Sequence, residues 1–141
     1  MRSVDWIDRL AAALRPLNAQ EPGPSNLDEL DGLLPEGQLL RPAAVLVGLV
    51  PRVHGWQVLL TQRTQHLPQH GGQISFPGGR IEAGDRDAVA GALRETHEEL
   101  GIDPKQVRPI GLLDVYGTIS AFAVTPVVGI IDPLVSATPD A

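Results

Sequence analysis

Three glutamates near the middle of the chain have the residue type and spacing that could do chemistry. Glu95, Glu98 and Glu99 belong to the block RETHEELG, and a helix, which turns about 100° per residue, groups them on one side. Glu95 and Glu99 lie one turn apart, where like charges cost about 0.2–0.5 kcal/mol. A divalent cation would remove that repulsion, and Mg²⁺ and Mn²⁺ prefer hard oxygen ligands. The pattern therefore fits a magnesium or manganese site, and it also fits a solvated acidic face of an ordinary amphipathic helix.

The neighbouring elements are expected to position these glutamates. Upstream, SFPGGR joins a predicted strand to the helix through Gly78 and Gly79, which permit a tight turn and close approach of the backbone to a ligand. Gly101 is placed to cap the helix. Arg94, four residues before Glu98, has the only favourable charge spacing on the helix. The side of the helix away from the carboxylates is largely apolar and is expected to pack on a core. Its residues are Val89, Leu93, Thr96 and Leu100.

This ordered set closely resembles the Nudix box, the signature of the Nudix hydrolase superfamily. The resemblance implies an α/β fold in which a mixed β-sheet lies between helices as an α/β/α sandwich. It also implies metal-dependent hydrolysis of a pyrophosphate linkage by attack of water on phosphorus. It rests on Gly79, the acidic loop that follows, and the pairs Arg94-Glu95, Glu98-Glu99 and Gly101-Ile102.

The same resemblance implies roles for individual residues. Glu95, Glu98 and Glu99 would hold Mg²⁺ or Mn²⁺, with the Gly79 carbonyl as a further ligand. Glu95 or Glu98 would also help to deprotonate the attacking water. Arg94 completes the implied catalytic group and would orient the acidic cluster by ion pairing.

The box loop departs from the usual pattern. Asp85 stands six residues after Gly79, where the usual box has Glu, and the interval from Gly79 to Arg94 is one residue longer. Thr96 replaces the usual aliphatic residue, and it can still turn its methyl group inward. For Glu82 and Asp85, a supporting or water-mediated metal role and plain loop solvation both stay open.

A second segment, residues 59–79, resembles one branch of this superfamily, the coenzyme A pyrophosphatases. LLTQRTQHLPQHGGQISFPGG is similar to the signature that precedes the box in that branch. The branch resemblance implies cleavage of coenzyme A or an acyl derivative to 3′,5′-ADP and a 4′-phosphopantetheine product. Downstream, LLDVYGTISAFAVTPVVGII resembles the strand pair that follows the box, although Ala121 stands where Gly is expected.

The signature also supplies candidate substrate-binding residues. Arg63 is a basic residue that would assist phosphate binding, and its alternative is a solvated strand residue. For the other candidates the alternative is hydrogen bonding that fixes the loop. They are His66, His70, Gln73 and Ser75.

Other functions remain open. A Nudix enzyme acting on another nucleoside diphosphate derivative, such as a dinucleotide or a nucleotide sugar, would use the same glutamates. A nucleotide-binding Nudix module without catalysis and a structural protein with an acidic helix are further alternatives. A net charge of −6 without a long basic run argues against nucleic acid as a partner, so a small-molecule nucleotide is expected. The chain lacks cysteine, which excludes thiolate catalysis, and Pro68 disfavours the helix that a zinc site at His66 and His70 would need.

The chain is interpreted as an N-terminal helix and a Pro/Gly-rich connection over residues 1–36, followed by one Nudix-type domain over residues 37–141. Residues 3–15 predict an amphipathic helix that packs on a core or, alternatively, forms a dimer or membrane-surface contact. PAAVLVGLV and WQVLLTQR predict a β-hairpin. No signal peptide or membrane span is predicted, and a cytoplasmic protein is expected. The branch resemblance implies further C-terminal elements beyond SATPDA, so the chain looks truncated.

Overall fold

The computed structural model describes residues 3–19, 32–34, 37–62 and 74–134. Two α-helices, α1 (Ser3–Ala13) and α2 (Ala88–Leu100), accompany the strands. A short 3₁₀ helix, Pro104–Gln106, follows α2. The strands are β1 (Arg41–Arg52), β2 (Gly55–Val58), β3 (Thr61–Gln62), β4 (Ile74–Ser75), β5 (Gly78–Arg80), β6 (Val107–Leu112), β7 (Tyr116–Gly117) and β8 (Phe122–Ile131).

Six of these strands form one mixed sheet around β1. The main path has the order β2-β1-β8-β6, with β5 paired to β1 and β7 paired to β8. β1 and β8 run parallel, from Arg41 beside Phe122 to Leu49 beside Ile130, whereas the other pairs are antiparallel. A strand with a parallel partner and both faces covered is typically apolar throughout. This explains the nearly continuous apolar run of β1.

α2 packs on one face of the sheet. Successive side chains of a strand point to opposite faces, and alternate residues of β1, beginning with Ala44 and Leu46, share a core with Ala92 of α2. Thr96 is 1% exposed, and its hydroxyl donates to the Ala92 carbonyl at 2.8 Å, so the core contains no unpaired hydroxyl there. The buried members of the core are Ala44, Leu46, Val50, Ala92, Leu100, Ile102, Val107, Leu112, Val127 and Ile131.

α1 crosses the other face of the sheet. Trp6 meets Trp56 of β2 edge to face, with ring centroids 4.7 Å apart. Trp56 pairs with Pro51. Pro51 follows the core residue Val50, so its side chain points to the face of the sheet away from α2. Leu14, directly after α1, occupies the space beside Gly111 of β6, where an added Cβ would clash with it. α1 therefore packs on the sheet, as one of the two predictions for this helix expects, and the predicted mixed sheet between helices is confirmed. Neither described helix is long and apolar enough to cross a membrane.

The predicted hairpin is present, but its second strand is shorter than the apolar pattern predicts. β1 and β2 pair around the turn, with Arg52 opposite Gly55. The prediction of one strand over WQVLLTQR is wrong, because β2 ends at Val58 and the chain resumes as β3, which pairs with β4 in a separate sheet. The partner of β3, Ile74–Ser75, is distant in sequence, and a local pattern cannot reveal it.

The turn between β7 and β8 contains a residue in a strained conformation. Ala121 has a φ of 68°, in the left-handed region where a Cβ costs about 1–2 kcal/mol. Two backbone bonds hold it there: the Arg41 amide donates to the Ala121 carbonyl at 2.8 Å, and the Ala121 amide donates to the Thr118 carbonyl at 3.0 Å. The branch resemblance expects Gly at this position, and Gly adopts this conformation without a steric cost.

Replacing Ala121 by Gly should raise the free energy of unfolding by about 0.5–1 kcal/mol, because relief of the strain outweighs the extra entropy of glycine in the unfolded chain. Urea denaturation measures the change. Ala90→Gly within α2 is the matched control and should lower stability by about 0.5–1 kcal/mol. A loss of stability in Ala121→Gly would contradict the strain.

Candidate active site

Arg94 ties the loop between β5 and α2 to the helix itself. Its Nε donates to Oδ1 of Asp85 at 2.9 Å, and its Nη2 donates to Oδ2 at 3.0 Å. This bidentate pairing matches the planar fork of the guanidinium. Nη2 also donates to the Arg80 carbonyl at 3.2 Å. The guanidinium therefore fixes where the loop lies against α2.

The other terminal nitrogen of Arg94 faces the glutamates. Nη1 donates to Oε1 of Glu95 at 3.1 Å and to both carboxylate oxygens of Glu98 at 3.1 Å, while Oε1 of Glu82 lies 3.7 Å away. Hydrogen bonds to Asp85, and to a smaller extent to Glu98 and Glu95, raise the pKa of Arg94. The exposed fraction of the side chain rises from 6% at Asp85 to 18% at Glu95 and 56% at Glu98. The cluster thus runs from a buried anchor to a carboxylate that faces solvent.

Asp85 also closes its own loop. Its Oδ2 accepts from the Glu82 amide at 2.8 Å, and its own amide donates to the Glu82 carbonyl at 2.9 Å. The hydrogen bonds from Arg94 and from the Glu82 amide lower the pKa of the Asp85 carboxyl. The structure gives Asp85 a supporting position inside the loop, whereas the Glu82 side chain is 65% exposed, as a solvated loop residue would be.

Both ends of α2 are capped, at Gly101 as the sequence predicts and at Asp87, which was not among the predicted residues. Asp87 accepts from the Ala90 amide at 2.9 Å and satisfies a free donor of the first turn. Gly101 ends the helix with a φ of 73°, and its amide donates to the His97 carbonyl. Both caps fix the helix register, and with it the side on which Arg94 and the glutamates lie.

Gly79 brings the backbone of β5 against the Glu95 carboxylate. It pairs with Ala44 of β1, on the face covered by α2. A Cβ at Gly79 would stand 2.9 Å from Cδ of Glu95 and 3.1 Å from each of its carboxylate oxygens, closer than ordinary contact. Glycine therefore permits this approach of a strand backbone to a helix carboxylate.

The oxygen atoms at this edge fit a hard divalent cation. Glu95 and Glu98 supply carboxylate oxygens, which Mg²⁺ and Mn²⁺ prefer, and Glu99 is half-buried on the same helix. The Glu95 and Glu98 carboxylates are bonded to Arg94. Within the described part of the chain, no three His, Cys, Asp or Glu side chains are already gathered as a metal-holding group.

A cavity of about 600 Å³ lies on the other side of β5. Ser75 lines it together with Gly78 and Gly79, so one residue predicted from the upstream signature reaches the same edge as the box. A Cβ at Gly78 would lie 2.6 Å from Cα of Val45, which explains why this position also carries a glycine. The remaining lining residues are Ala43, Val45, Phe76, Arg80, Thr118, Ser120, Phe122 and Val124.

Comparison with known families matches the NUDIX domain model to residues 39–128 of the chain. The chain belongs to the Nudix family. The matched range contains the box, the upstream signature and most of β8, so the resemblance at family level is confirmed.

Curated relatives agree with this assignment. An uncharacterised Nudix hydrolase, NudL, from Enterobacter sp. (strain 638) is 45% identical over 115 residues, covering 74% of this chain and 59% of the relative. NudL from Escherichia coli (strain K12) has the same identity and coverage. The chain thus spans about three fifths of the length of the curated Nudix relatives it matches.

Solved Nudix structures share the fold. The crystal structure of RenU, a Nudix hydrolase from M. smegmatis, superposes with a TM-score of 0.57 at 20% identity, covering 75% of this chain and 74% of that one. A binary complex of a C. elegans Ap4A hydrolase superposes with a TM-score of 0.57 at 22% identity, covering 70% and 71%. At these identities the similarity establishes the fold alone.

The Nudix structure brings most of the predicted site together and leaves part of it undescribed. Arg94, Glu95 and Glu98 form one hydrogen-bonded cluster with Asp85. Four predicted substrate residues lie outside the described residues, namely Arg63, His66, His70 and Gln73.

Sequence reasoning missed the far wall of the cavity in this Nudix domain. Phe76, Thr118, Ser120 and Phe122 line it, and none was a candidate. The turn residues between β7 and β8 were the available signal, because binding groups often lie on loops at a sheet edge.

Gly79→Ala should lower stability by less than about 1 kcal/mol, because the group in its way is the end of a flexible side chain that can move. The displaced Glu95 carboxylate should weaken Mn²⁺ binding by about tenfold or more. Electron paramagnetic resonance of free Mn²⁺ measures this. Gly84→Ala is the control, since an added Cβ there meets nothing within 4 Å. Equal Mn²⁺ affinity in both variants would refute the role given to Gly79.

Asp85→Asn should lower the free energy of unfolding at neutral pH, because the amide loses the charged pairing with Arg94. The pairing holds the folded-state pKa of Asp85 below its ordinary value. Its contribution is therefore present above about pH 4, near the unfolded pKa, and is lost as the pH falls through the lower folded pKa.

Urea titrations across acid and neutral pH test this sign. The stability difference between wild type and Asp85→Asn should stay constant from neutral pH to about pH 5 and shrink below about pH 4. Asp114→Asn, at an exposed position, should leave stability nearly unchanged at neutral pH. A difference that grows on acidification would contradict the assignment.

Proposed function

We propose that this Nudix chain hydrolyses a pyrophosphate linkage with a divalent cation, and that its substrate is coenzyme A or an acyl derivative. The products would be 3′,5′-ADP and 4′-phosphopantetheine or its acyl form. The observation that carries the hydrolytic part is the hydrogen-bonded cluster of Arg94, Glu95 and Glu98, in which the Glu95 carboxylate lies against Gly79. The coenzyme A part is supported by the upstream signature over residues 59–79.

The cation in this proposal is Mg²⁺ or Mn²⁺, held by Glu95, Glu98, Glu99 and the Gly79 carbonyl. When bound, it neutralises phosphate oxygens and lowers the pKa of the attacking water. This charge neutralisation is what phosphoryl transfer chiefly requires, since the transition state concentrates negative charge on oxygen. An acidic chain needs such a cation to accept an anionic diphosphate at a site lined by carboxylates.

The protein's own groups accept the proton of the water, position the glutamates and allow close approach of the backbone. Glu95 or Glu98 accepts the proton of the water, and the higher exposure of Glu98 leaves it accessible to solvent and substrate. Arg94 acts as a positioning residue: Asp85 anchors one side of its guanidinium, so the other side holds the glutamates in a fixed orientation. Because Gly79 has no side chain, the backbone of β5 lies close to the Glu95 carboxylate.

Glu98→Gln tests this proposal. The amide keeps the shape of the side chain but lacks the charge and the basic oxygen, so metal-dependent release of 3′,5′-ADP from coenzyme A should fall by at least about 100-fold. Product analysis by chromatography measures the rate, and circular dichroism checks the fold. Asp8→Asn, exposed on α1, is the control and should keep wild-type turnover. Unchanged release of 3′,5′-ADP by Glu98→Gln would refute the proposed site.

A substrate panel separates the proposal from its alternatives. Coenzyme A, a dinucleoside polyphosphate and a nucleotide sugar are each incubated with the chain and Mg²⁺ or Mn²⁺. Preferential turnover of coenzyme A is the expected result. Preferential turnover of another compound would support the proposed hydrolase activity but contradict coenzyme A as its substrate. Calorimetric binding without turnover would indicate a non-catalytic module.

A further inference from the structure

The cavity beside β5 lies on the face of the sheet opposite α2. Ala43 and Val124 are register partners on β1 and β8, so their side chains point to the same face. Val45 lies two residues after Ala43, and its side chain points to that face as well. These three apolar residues line the cavity, whereas the intervening Ala44 belongs to the core beneath α2. The cavity floor is thus apolar and is formed by rigid strands.

The walls of the cavity are aromatic and hydroxylic. Phe76 and Phe122 both line it, and they are the only two phenylalanines of the chain. Phe76 remains 36% exposed. The Arg41 guanidinium lies over the Phe122 ring, 4.4 Å from its centroid. Two of the three hydroxyl groups, those of Ser75 and Ser120, lie on exposed residues. Such an arrangement suits a flat ring with polar edges, because every base has a π face that can stack on an aromatic side chain.

The charge of the cavity differs from that of the chain. Arg80 lines it, and among the residues that the structure describes no acidic one does, although the chain carries a net charge of −6. The guanidinium of Arg41 lies beside the same wall. An anionic ligand is therefore favoured here over a neutral one.

The rim is held by the strained turn at Ala121. The Phe122 amide donates to Oγ1 of Thr118 at 3.2 Å, and the Thr118 amide donates to the Phe122 carbonyl at 2.9 Å. Residues in disfavoured backbone conformations persist only where the surroundings fix them, and they cluster at ligand sites. The turn therefore sets Thr118, Ser120 and Phe122 around one opening.

We infer that this cavity binds the nucleotide end of the substrate, with the base between the apolar floor and the phenylalanines and a sugar phosphate near Arg80. The inference rests on the proposed function for the identity of the ligand, since Gly79 lines the cavity and also touches the Glu95 carboxylate. A diphosphate at the glutamates would then have one organic end inside the cavity. The volume, about 600 Å³, lies in the range typical of small-molecule sites.

Calorimetric titration with adenosine 3′,5′-bisphosphate tests the inference without turnover. Phe76→Leu and Phe122→Leu should each weaken binding at least about fivefold, because a stacking partner is lost. Ile119→Ala is the matched control: Ile119 lies in the same turn and is 70% exposed, but it does not line the cavity. It should bind like the wild type.

A second variant covers the case in which loss of a ring disturbs the fold. Ser120→Trp places a large side chain in the opening at an exposed position, so it should abolish nucleotide binding while thermal unfolding stays as in the wild type. Coenzyme A turnover by Phe76→Leu should show a raised KM and an unchanged kcat, because the cavity does not contact the reacting phosphorus. Unchanged nucleotide affinity in the two leucine variants and in Ser120→Trp would overturn the inference.

The outcomes also distinguish failure of the cavity assignment from failure of the proposed reaction. If coenzyme A is not cleaved but Ser120→Trp and Phe76→Leu lose nucleotide binding, the cavity assignment stands and the proposed substrate fails. If Glu98→Gln loses activity while the cavity variants bind normally, the reaction stands and the cavity assignment is wrong. Weakened binding of 4′-phosphopantetheine alone would place the other end of the substrate in the cavity and overturn the inference.

Discussion

The site depends on one guanidinium shared between a loop and a helix. Arg94 bonds to Asp85 on the loop and to Glu95 and Glu98 on α2. Without a cation between them, these carboxylates would repel each other and the loop would lose its side-chain link to α2. Because one positive charge faces several negative ones, the cluster keeps an excess of negative charge. That excess disfavours an anionic substrate unless a further cation binds, which is the physical reason for a metal in the proposed reaction.

β1 links the two halves of the proposed site. Its antiparallel partner β5 carries Gly78 and Gly79, and its parallel partner β8 carries Phe122 and Val124. α2 packs on one face of these strands and the cavity opens on the other. A ligand that bridges the glutamates and the cavity must therefore pass over the edge at β5. Two consecutive glycines keep that edge thin, and a side chain at either position would meet a neighbour.

The helix and its C-terminal cap could be predicted from the sequence, because the periodicity and Gly101 act within a few residues. The N-cap at Asp87 was missed, although it also acts within one turn. The partners of Arg94 were foreseen only in part: the spacing indicates Glu98, whereas the buried pairing with Asp85 depends on how the loop folds back. The cavity could not be predicted, since its floor joins Ala43 to Val124 and its wall needs Phe76 beside the turn at Ser120. These contacts join distant parts of the chain, and no local pattern encodes them. Ala121 is an intermediate case, because the branch resemblance marked the position as one that expects Gly but predicted neither its left-handed conformation nor its place at the rim.

The longer box loop shows why spacing alone is a weak test of a site. One extra residue between Gly79 and Arg94 would displace a rigid element, yet a surface loop absorbs an added residue at little entropic cost. Here the loop turns on itself at Glu82 and Asp85, whose backbone and side-chain bonds close it locally. The closed turn points the Asp85 carboxylate at Arg94 despite the changed interval. In this chain the carboxylate at the guanidinium therefore comes from Asp85, and the turn that closes the loop, rather than the number of residues before Arg94, sets its position.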